Sequence, residues 1–103
     1  MIVRTWTARA TPENAGKYAD FFASVLVPQL REIDGHHGAV VLKRDNDGVA
    51  EIVVVTYWES YSAIDSFACD DREAAVVESD AAALLLDYDK RVTHYDAVLD
   101  TRC

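Results

Sequence analysis

The chain has few of the residues that would mark a secreted, nucleic-acid-binding or membrane protein. Its 103 residues include only two cysteines, Cys69 and Cys103, which form neither a disulfide framework nor a metal-ligand spacing. We therefore expect a reduced, cytoplasmic protein. Lys and Arg number 10 against 18 Asp and Glu, giving a net charge of −8. This balance excludes a nucleic-acid backbone or an anionic membrane as an expected partner, and no apolar run approaches the roughly 20 residues of a membrane-spanning helix.

The amino-acid composition is that of an ordinary globular protein. Hydrophobic residues make up 50% of the chain and charged residues 27%, and no repeat, linker or low-complexity tract divides it. We therefore treat residues 1–103 as a single domain with one core.

The most informative segment is the run of β-branched and aromatic residues between Glu51 and Ser60. On a strand, Ile52, Val54, Thr56 and Trp58 point to one face, and Val53, Val55 and Tyr57 point to the other. Both faces are apolar, so the pattern predicts a strand covered on both sides.

The remaining patterns predict an α+β arrangement. Thr11-Pro12-Glu13 joins a hydroxyl cap, a proline at the first helical position and an acid in the first turn. Pro28 should kink the helix that follows, and Gly35 should end it. Asn46-Asp47-Gly48 is typical of a hairpin turn. The predicted elements are strand 2–9, the kinked helix, loop 35–38, strands 39–45 and 50–58, a short helix capped by Ser60 or Ser62, a further turn or two in 71–77, a helix from Ser79 carrying Leu84, Leu85 and Tyr88, and strand 91–99.

This order, β-α-β-β-α-β, is that of a ferredoxin-like sandwich with helices on one face of an antiparallel sheet. The second apolar face of the third strand then needs another cover. We predict that a second copy supplies it, giving a homodimeric α+β barrel.

Two polar residues stand out as candidate site residues. His94 lies within a predicted strand, and histidine can transfer a proton near neutral pH. It is either a buried histidine bonded to a neighbour or a catalytic or substrate-orienting group, with Arg4 or Asp96 as its partner. Burial of Arg4 is costly unless it is paired, so Arg4 either pairs with a structural carboxylate or faces an acidic or enolate group on a ligand.

Aromatic residues would form the walls of a pocket if one exists. Trp58 is either a core aromatic whose indole N–H bonds to a backbone partner or a pocket wall that touches the ligand. Neighbouring His36 and His37 point apart and have no third ligand at metal spacing, so no metal is expected. The other candidate lining residues are Trp6, Tyr18, Phe22 and Phe67.

The chain resembles the antibiotic biosynthesis monooxygenase-like proteins over about residues 1–99. The resemblance is carried by Met1-Ile2-Val3-Arg4-Thr5-Trp6, by Gly35-x-x-Gly38-Ala39, by Trp58-Glu59-Ser60 with the helix after it, and by Arg91-Val92-x-His94-Tyr95. It implies a dimeric α+β barrel with a pocket between sheet and helices in each subunit.

The family includes cofactor-free oxygenases of aromatic polyketides, haem-degrading enzymes and members without an assigned activity. Haem degraders of the family use a first-strand asparagine, a tryptophan on the helix after the Trp-Glu-Ser run, and a histidine one helix later. Here the corresponding positions are Thr5 or Thr7, Phe67 and the histidine-free segment 73–77. Haem degradation is therefore not expected.

We hypothesise a cofactor-independent monooxygenase acting on a small aromatic or polyketide-like compound. His94 would move the proton, Arg4 would stabilise the anion, and Trp58 and Trp6 would form walls. The alternatives are a non-catalytic dimeric module that binds a small molecule in the same pocket, and a partner subunit without any ligand.

Overall fold

The structure is a computed structural model that describes residues 1–68 and 71–101. Cys69 and Cys103 lie outside these ranges, and the prediction of a reduced, cytoplasmic protein stays a prediction. Within the described residues, every helix is too short or too polar to cross a bilayer.

Three long antiparallel strands form the body of the sheet. They are β1 (Ile2–Ala10), β2 (His36–Asn46) and β3 (Val49–Trp58), with β3 in the middle. The β2–β3 hairpin closes through Asp47 and Gly48, whose φ angles of 53° and 82° both lie in the left-handed region, as the predicted two-residue turn requires.

The helical layer begins as the sequence predicts and changes from an α-helix to a π-helical turn before Pro28. The Thr11 hydroxyl accepts a hydrogen bond from the backbone N–H of Asn14 and caps α1 (Pro12–Phe21). A π-helical turn, Phe22–Leu26, then leads into α2 (Val27–Arg31). Because Pro28 has no N–H for the i−4 carbonyl, the helical ladder must change nearby, and the π-helical turn is that change. The helix ends at Arg31, before the predicted Gly35.

The segment around Gly35 differs from the predicted loop. Residues 36–38 belong to β2, with a bulge between His36 and Gly38. Gly35 has φ of 92°, and a Cβ there would lie 2.7 Å from the Cβ of Ala63. The predicted loop is therefore the start of a strand that passes close to α3 (Tyr61–Ala68), which the Ser60 hydroxyl caps.

The C-terminal third departs most from the sequence-based expectation. The turn predicted in residues 71–77 is present once, where Ala74 donates its N–H to the Asp71 carbonyl. It does not continue as a helix, because the backbone of Glu73 and Ala75 bonds to that of Val92 and Lys90. The predicted last helix is only α4 (Ser79–Ala82), and Leu86 donates its N–H to the carbonyl of Arg9 on β1. Tyr88 therefore lies in a strand and not in a helix. The fourth strand is split into β4 (Asp87–Tyr88) and β5 (Thr93–Asp96), both paired with β1.

The sheet order β2-β3-β1, with β4 and β5 along the other edge of β1, confirms the ferredoxin-like α+β fold. The helices cover one face of the sheet, where Ile52, Val54, Thr56 and Trp58 are buried. On the face turned away from the helices, Val53, Val55 and Tyr57 are half-buried, while Val40 and Leu42 are 41% and 49% exposed. The alternation predicted for β3 is confirmed, and its second apolar face is only partly covered within one chain.

Candidate functional site

A small cavity lies between the helix-covered face of the sheet and the helices. Its volume is about 50 Å³, enough for a few water molecules or a small group but not for a polycyclic compound. Its described lining residues are Arg4, Trp6, Tyr18, Phe22, Leu26, Leu30, Val54, Thr56, Phe67, Val76 and Val92. The lining is mostly apolar and aromatic, with three polar side chains.

Arg4 is the charged member of this lining. It lies on β1, is 5% exposed, and contacts the ring face of Phe67 with its guanidinium carbon 5.8 Å from the ring centroid. Its Nη1 donates to the Arg72 carbonyl at 2.5 Å and to His94 Nε2 at 3.1 Å, and its Nη2 donates to the Ala74 carbonyl at 3.1 Å. Among residues 1–68 and 71–101, no carboxylate forms an ion pair with it.

The predicted structural carboxylate for Arg4 is therefore not found in the described part of the chain. Burial lowers the pKa of Arg4 to about 10, so it still carries its charge at neutral pH. A buried cation held only by neutral acceptors is an arrangement that an anionic ligand would stabilise.

His94 lies opposite Arg4 in the antiparallel pairing of β1 and β5. A guanidinium can only donate, so His94 Nε2 accepts and the proton of the neutral ring is on Nδ1. Burial, and then the positive charge of Arg4, lower the pKa of His94. Of the two predicted partners, Arg4 is the one it contacts. His94 does not line the small cavity; it borders a separate groove beyond Arg4.

That outer groove is larger, about 770 Å³, and polar. Tyr61 packs edge-on against His94 with ring centroids 5.7 Å apart. The Arg72 guanidinium lies over Tyr61 at 4.5 Å and forms two hydrogen bonds with Asp65, at 2.8 and 2.9 Å. Arg4 and His94 thus lie between an apolar inner cavity and an open, charged outer groove.

Tyr18 and Thr56 supply the other polar groups of the cavity. Tyr18 is 3% exposed, and burial raises the pKa of its phenol. Its hydroxyl has no hydrogen-bond partner among the described residues. Thr56 is 7% exposed and its hydroxyl accepts the indole N–H of Trp58 at 2.8 Å, which leaves the hydroxyl hydrogen of Thr56 available to a ligand.

The cavity is covered by segment 71–78, which precedes α4. Val76 of this segment lines the cavity and is 40% exposed. The segment is held by the hydrogen bonds from Arg4 to the Arg72 and Ala74 carbonyls and by ion pairs of Arg91 with Asp71 and Glu73 at 3.1 and 3.0 Å. A ligand with a fused ring system would have to move this cover outward, because the closed cavity is too small.

The sequence-based candidates divide into two groups. Arg4, Trp6, Tyr18, Phe22 and Phe67 surround the cavity together. Trp58 is 0% exposed and lies in the core behind the cavity, edge-on to His36 with ring centroids 4.9 Å apart. Its burial matches the interpretation of Trp58 as a core aromatic, but its indole N–H bonds to the Thr56 side chain and not to the predicted backbone partner.

Two lining residues were missed by the sequence reasoning. Thr56 shares the buried face of β3 with Trp58 and could have been found from that alternation. Val76 could not, because its position depends on the pairing of residues 73–75 with residues 90–92. Within the described ranges, no cluster of three or more metal-ligand side chains is present, and His36 Nδ1 is buried without a partner.

A single-layered antiparallel sheet with helices over one face, enclosing an aromatic cavity next to a buried arginine, defines a small α+β pocket protein. A family profile described as "Antibiotic biosynthesis monooxygenase" matches residues 1–76. The chain belongs to this family. No curated protein sequence matches it with statistical support.

Solved structures show the same fold at low sequence identity. The chain is similar to a monooxygenase from the ActVA-Orf6 gene of Streptomyces coelicolor in complex with nanaomycin D, with a TM-score of 0.67, 21% identity, and coverage of 97% of this chain and 92% of that one. It is similar to a protein of unknown function from Nitrosomonas europaea, with a TM-score of 0.65, 16% identity, and coverage of 99% and 93%. A third similar structure is the haem degrader MhuD from Mycobacterium tuberculosis with two haems in its active site, with a TM-score of 0.61, 21% identity, and coverage of 99% and 100%.

Proposed function

We propose that this protein is a monooxygenase that oxidises a small, flat aromatic or polyketide-like compound without a bound cofactor. In this chemistry a substrate whose activated CH₂ group has given up a proton to water reacts, as its carbanion, with dioxygen to form a carbon–oxygen bond. Protonation gives a hydroperoxide, which loses water as its O–O bond and remaining C–H bond break. The balance is R₂CH₂ + O₂ → R₂C=O + H₂O, so dioxygen is the oxidant and no further reductant is required.

The observation that carries the proposal is the buried charge of Arg4 beside an aromatic cavity. A substrate anion is the species that must be stabilised before dioxygen reacts, and a fixed cation in a water-poor site does this effectively. Trp6, Phe22 and Phe67 provide flat apolar walls around the same space. The fold and family support a small-molecule pocket of this class.

The role of His94 follows from its hydrogen bond to Arg4. Its Nε2 is engaged with the guanidinium and its ring borders the outer groove, so direct proton abstraction inside the cavity would need a different arrangement of His94. We propose that His94 orients Arg4 and holds its charge toward the cavity. Trp58 supports the wall from behind through Thr56 and through its ring contact with Phe67 at 5.9 Å.

Haem degradation is a less suitable function for this site. Among the described residues that line the cavity there is no histidine or cysteine to bind iron.

We also propose that the protein is a homodimer. Val40, Leu42 and Tyr95, on the sheet face away from the helices, are 41%, 49% and 56% exposed, and a second copy of the same face would bury them. Leu42→Asp should yield a monomer in light scattering, whereas Leu86→Asp, at a site 60% exposed just before β4, should not. A wild-type protein that is monomeric at micromolar concentration would contradict the proposal.

The monooxygenase proposal is tested with anthrones and quinols in an oxygen-electrode assay, together with thermal-shift measurements of binding. Turnover should consume one dioxygen per product and should fall strongly in Arg4→Met. Binding without oxygen consumption by any compound would instead support the second candidate, a non-catalytic module that holds a small molecule. If none of the compounds binds or is turned over, the result would favour a partner subunit without a ligand.

A further inference from the structure

The polar groups that reach the cavity are rich in hydrogen-bond donors. A guanidinium has five N–H donors, and Arg4 uses both on Nη1 and one on Nη2 for the acceptors described above. The Nε–H and one Nη2–H remain without a partner in the described part of the chain. Tyr18 adds an unused O–H, and Thr56 adds the hydrogen of a hydroxyl that already accepts from Trp58.

The same lining has no group suited to remove a proton from a ligand. Apart from Arg4, Tyr18 and Thr56, its described members are apolar or aromatic hydrocarbon side chains and the indole of Trp6. The Trp6 indole N–H donates to the Asp89 carbonyl at 2.6 Å. The nearest imidazole, His94, is engaged with Arg4 outside the cavity. The described lining can therefore stabilise an anion, but it holds no side chain that would take up the proton of a weakly acidic ligand.

We propose that the cavity selects compounds that arrive already ionised, namely flat ring compounds carrying an anionic oxygen beside a carbonyl oxygen, bound by Arg4 with help from Tyr18 and Thr56. Two unused N–H groups on one planar guanidinium suit two neighbouring oxygen atoms. This inference rests on the proposed function, since it names the substrate class of the same site. It differs from a reaction in which the protein first deprotonates a neutral phenol or anthrone.

The test compares four compounds by isothermal titration at pH 7.5. The first is 2-hydroxy-1,4-naphthoquinone, which is ionised in water at this pH. Its methyl ether, 2-methoxy-1,4-naphthoquinone, keeps the ring and the oxygen atoms but has no charge. 1-Naphthol and anthrone are weak acids that stay neutral in water at this pH.

The hydroxyquinone should bind at least about ten-fold more tightly than its methyl ether, because charge-assisted hydrogen bonds are lost in the ether. Tyr18→Phe should weaken the hydroxyquinone about three- to ten-fold and leave the ether unchanged. Arg4→Lys keeps the charge but not the planar pair of donors, so it should reduce the ratio of the affinity for the hydroxyquinone to the affinity for its methyl ether. The comparison of ligands on the wild-type protein holds even if a variant fails to fold.

Three results would overturn the inference. The first is equal affinity for the hydroxyquinone and its ether, and the second is no binding of either. The third is tighter binding of neutral 1-naphthol or anthrone than of the hydroxyquinone, since the site would then not select for the ionised form. The oxygen electrode separates this inference from the proposed function. Oxidation of neutral anthrone would refute the selection for ionised ligands but not the monooxygenase activity. Selective binding of the ionised compound without oxygen uptake would refute only the monooxygenase activity.

Discussion

The hydrogen bond between Trp58 and Thr56 offers a quantitative test of how the wall behind the cavity is built. The indole N–H of Trp58 donates to the Thr56 hydroxyl at 2.8 Å, and the two residues are 0% and 7% exposed. Thr56→Val keeps the branched shape but removes the acceptor, leaving a buried N–H without a partner. An unsatisfied buried donor costs about 1–3 kcal/mol, so we expect a loss of about 2 kcal/mol in the free energy of unfolding.

For a domain of this length, such a loss lowers Tm by roughly 8–16 °C. The assay is urea unfolding followed by tryptophan fluorescence, at one fixed protein concentration because an oligomer's stability depends on it. The matched control is Thr7→Val. Thr7 is half-buried on the opposite face of β1 and its side chain has no hydrogen bond within the described ranges, so its effect should stay within about 0.5 kcal/mol.

A double-mutant cycle isolates the pair. In a Trp58→Phe background the indole donor is gone, so Thr56→Val should cost at least about 1 kcal/mol less than it does in the wild type. Equal costs in the two backgrounds, or equal losses for Thr56→Val and Thr7→Val, would refute the assignment of this hydrogen bond as the support of the wall.

Further predictions concern two glycines and two histidines. Gly48 has φ of 82° in the β2–β3 turn, so Gly48→Ala should lower the free energy of unfolding by about 1 kcal/mol. Gly16 lies within α1, where a Cβ would meet nothing within 4 Å, so Gly16→Ala should raise the free energy of unfolding by about 0.5–1 kcal/mol. Chemical denaturation measures both changes, and the same sign for both would contradict the reasoning. Burial lowers the pKa of His94, and the charge of Arg4 lowers it further. Burial likewise lowers the pKa of His36, with a further lowering from the charge of His37. The folded state therefore binds fewer protons than the unfolded chain below the unfolded pKa of about 6.5, so the stabilising contribution is complete above that pH and is lost as pH falls through the folded pKa values. The free energy of unfolding should drop between pH 7 and pH 5 by at most about 1.4 kcal/mol per pH unit for each imidazole. His94→Gln should reduce this drop. A free energy of unfolding that stays constant or rises toward pH 5 would contradict the prediction.

The sequence predicted those parts of the fold whose signals are local. The cap at Thr11, the turn at Asp47-Gly48 and the alternation along β3 each depend on neighbouring residues, and each is found in the structure. The kink predicted at Pro28 stays a prediction; a π-helical turn lies just before it. The C-terminal third was predicted less well. Segment 71–77 was predicted to add a turn or two; it forms one turn, and beyond it the pairing of the backbone with residues 90–92 overrides local propensity.

The candidate site shows the same division. Sequence reasoning offered Trp6, Tyr18, Phe22 and Phe67 as the lining if a pocket exists, and Arg4 as a partner of either a structural carboxylate or a ligand anion. All five surround one cavity, and their binding of a substrate stays a prediction. Sequence reasoning could not determine on which side of Arg4 the imidazole of His94 lies. That depends on how β5 pairs with β1, ninety residues away along the chain.

By itself, then, the sequence determined the ferredoxin-like order and the two apolar faces of the central strand, because the periodicity of side chains along a strand is fixed by backbone geometry. Only the tertiary structure decided that Arg4 is held by two backbone carbonyls and a neutral histidine, with no carboxylate beside it in the described chain. The reason is physical: the charge balance of a buried group depends on which distant atoms folding brings within hydrogen-bond distance, and no local pattern records that.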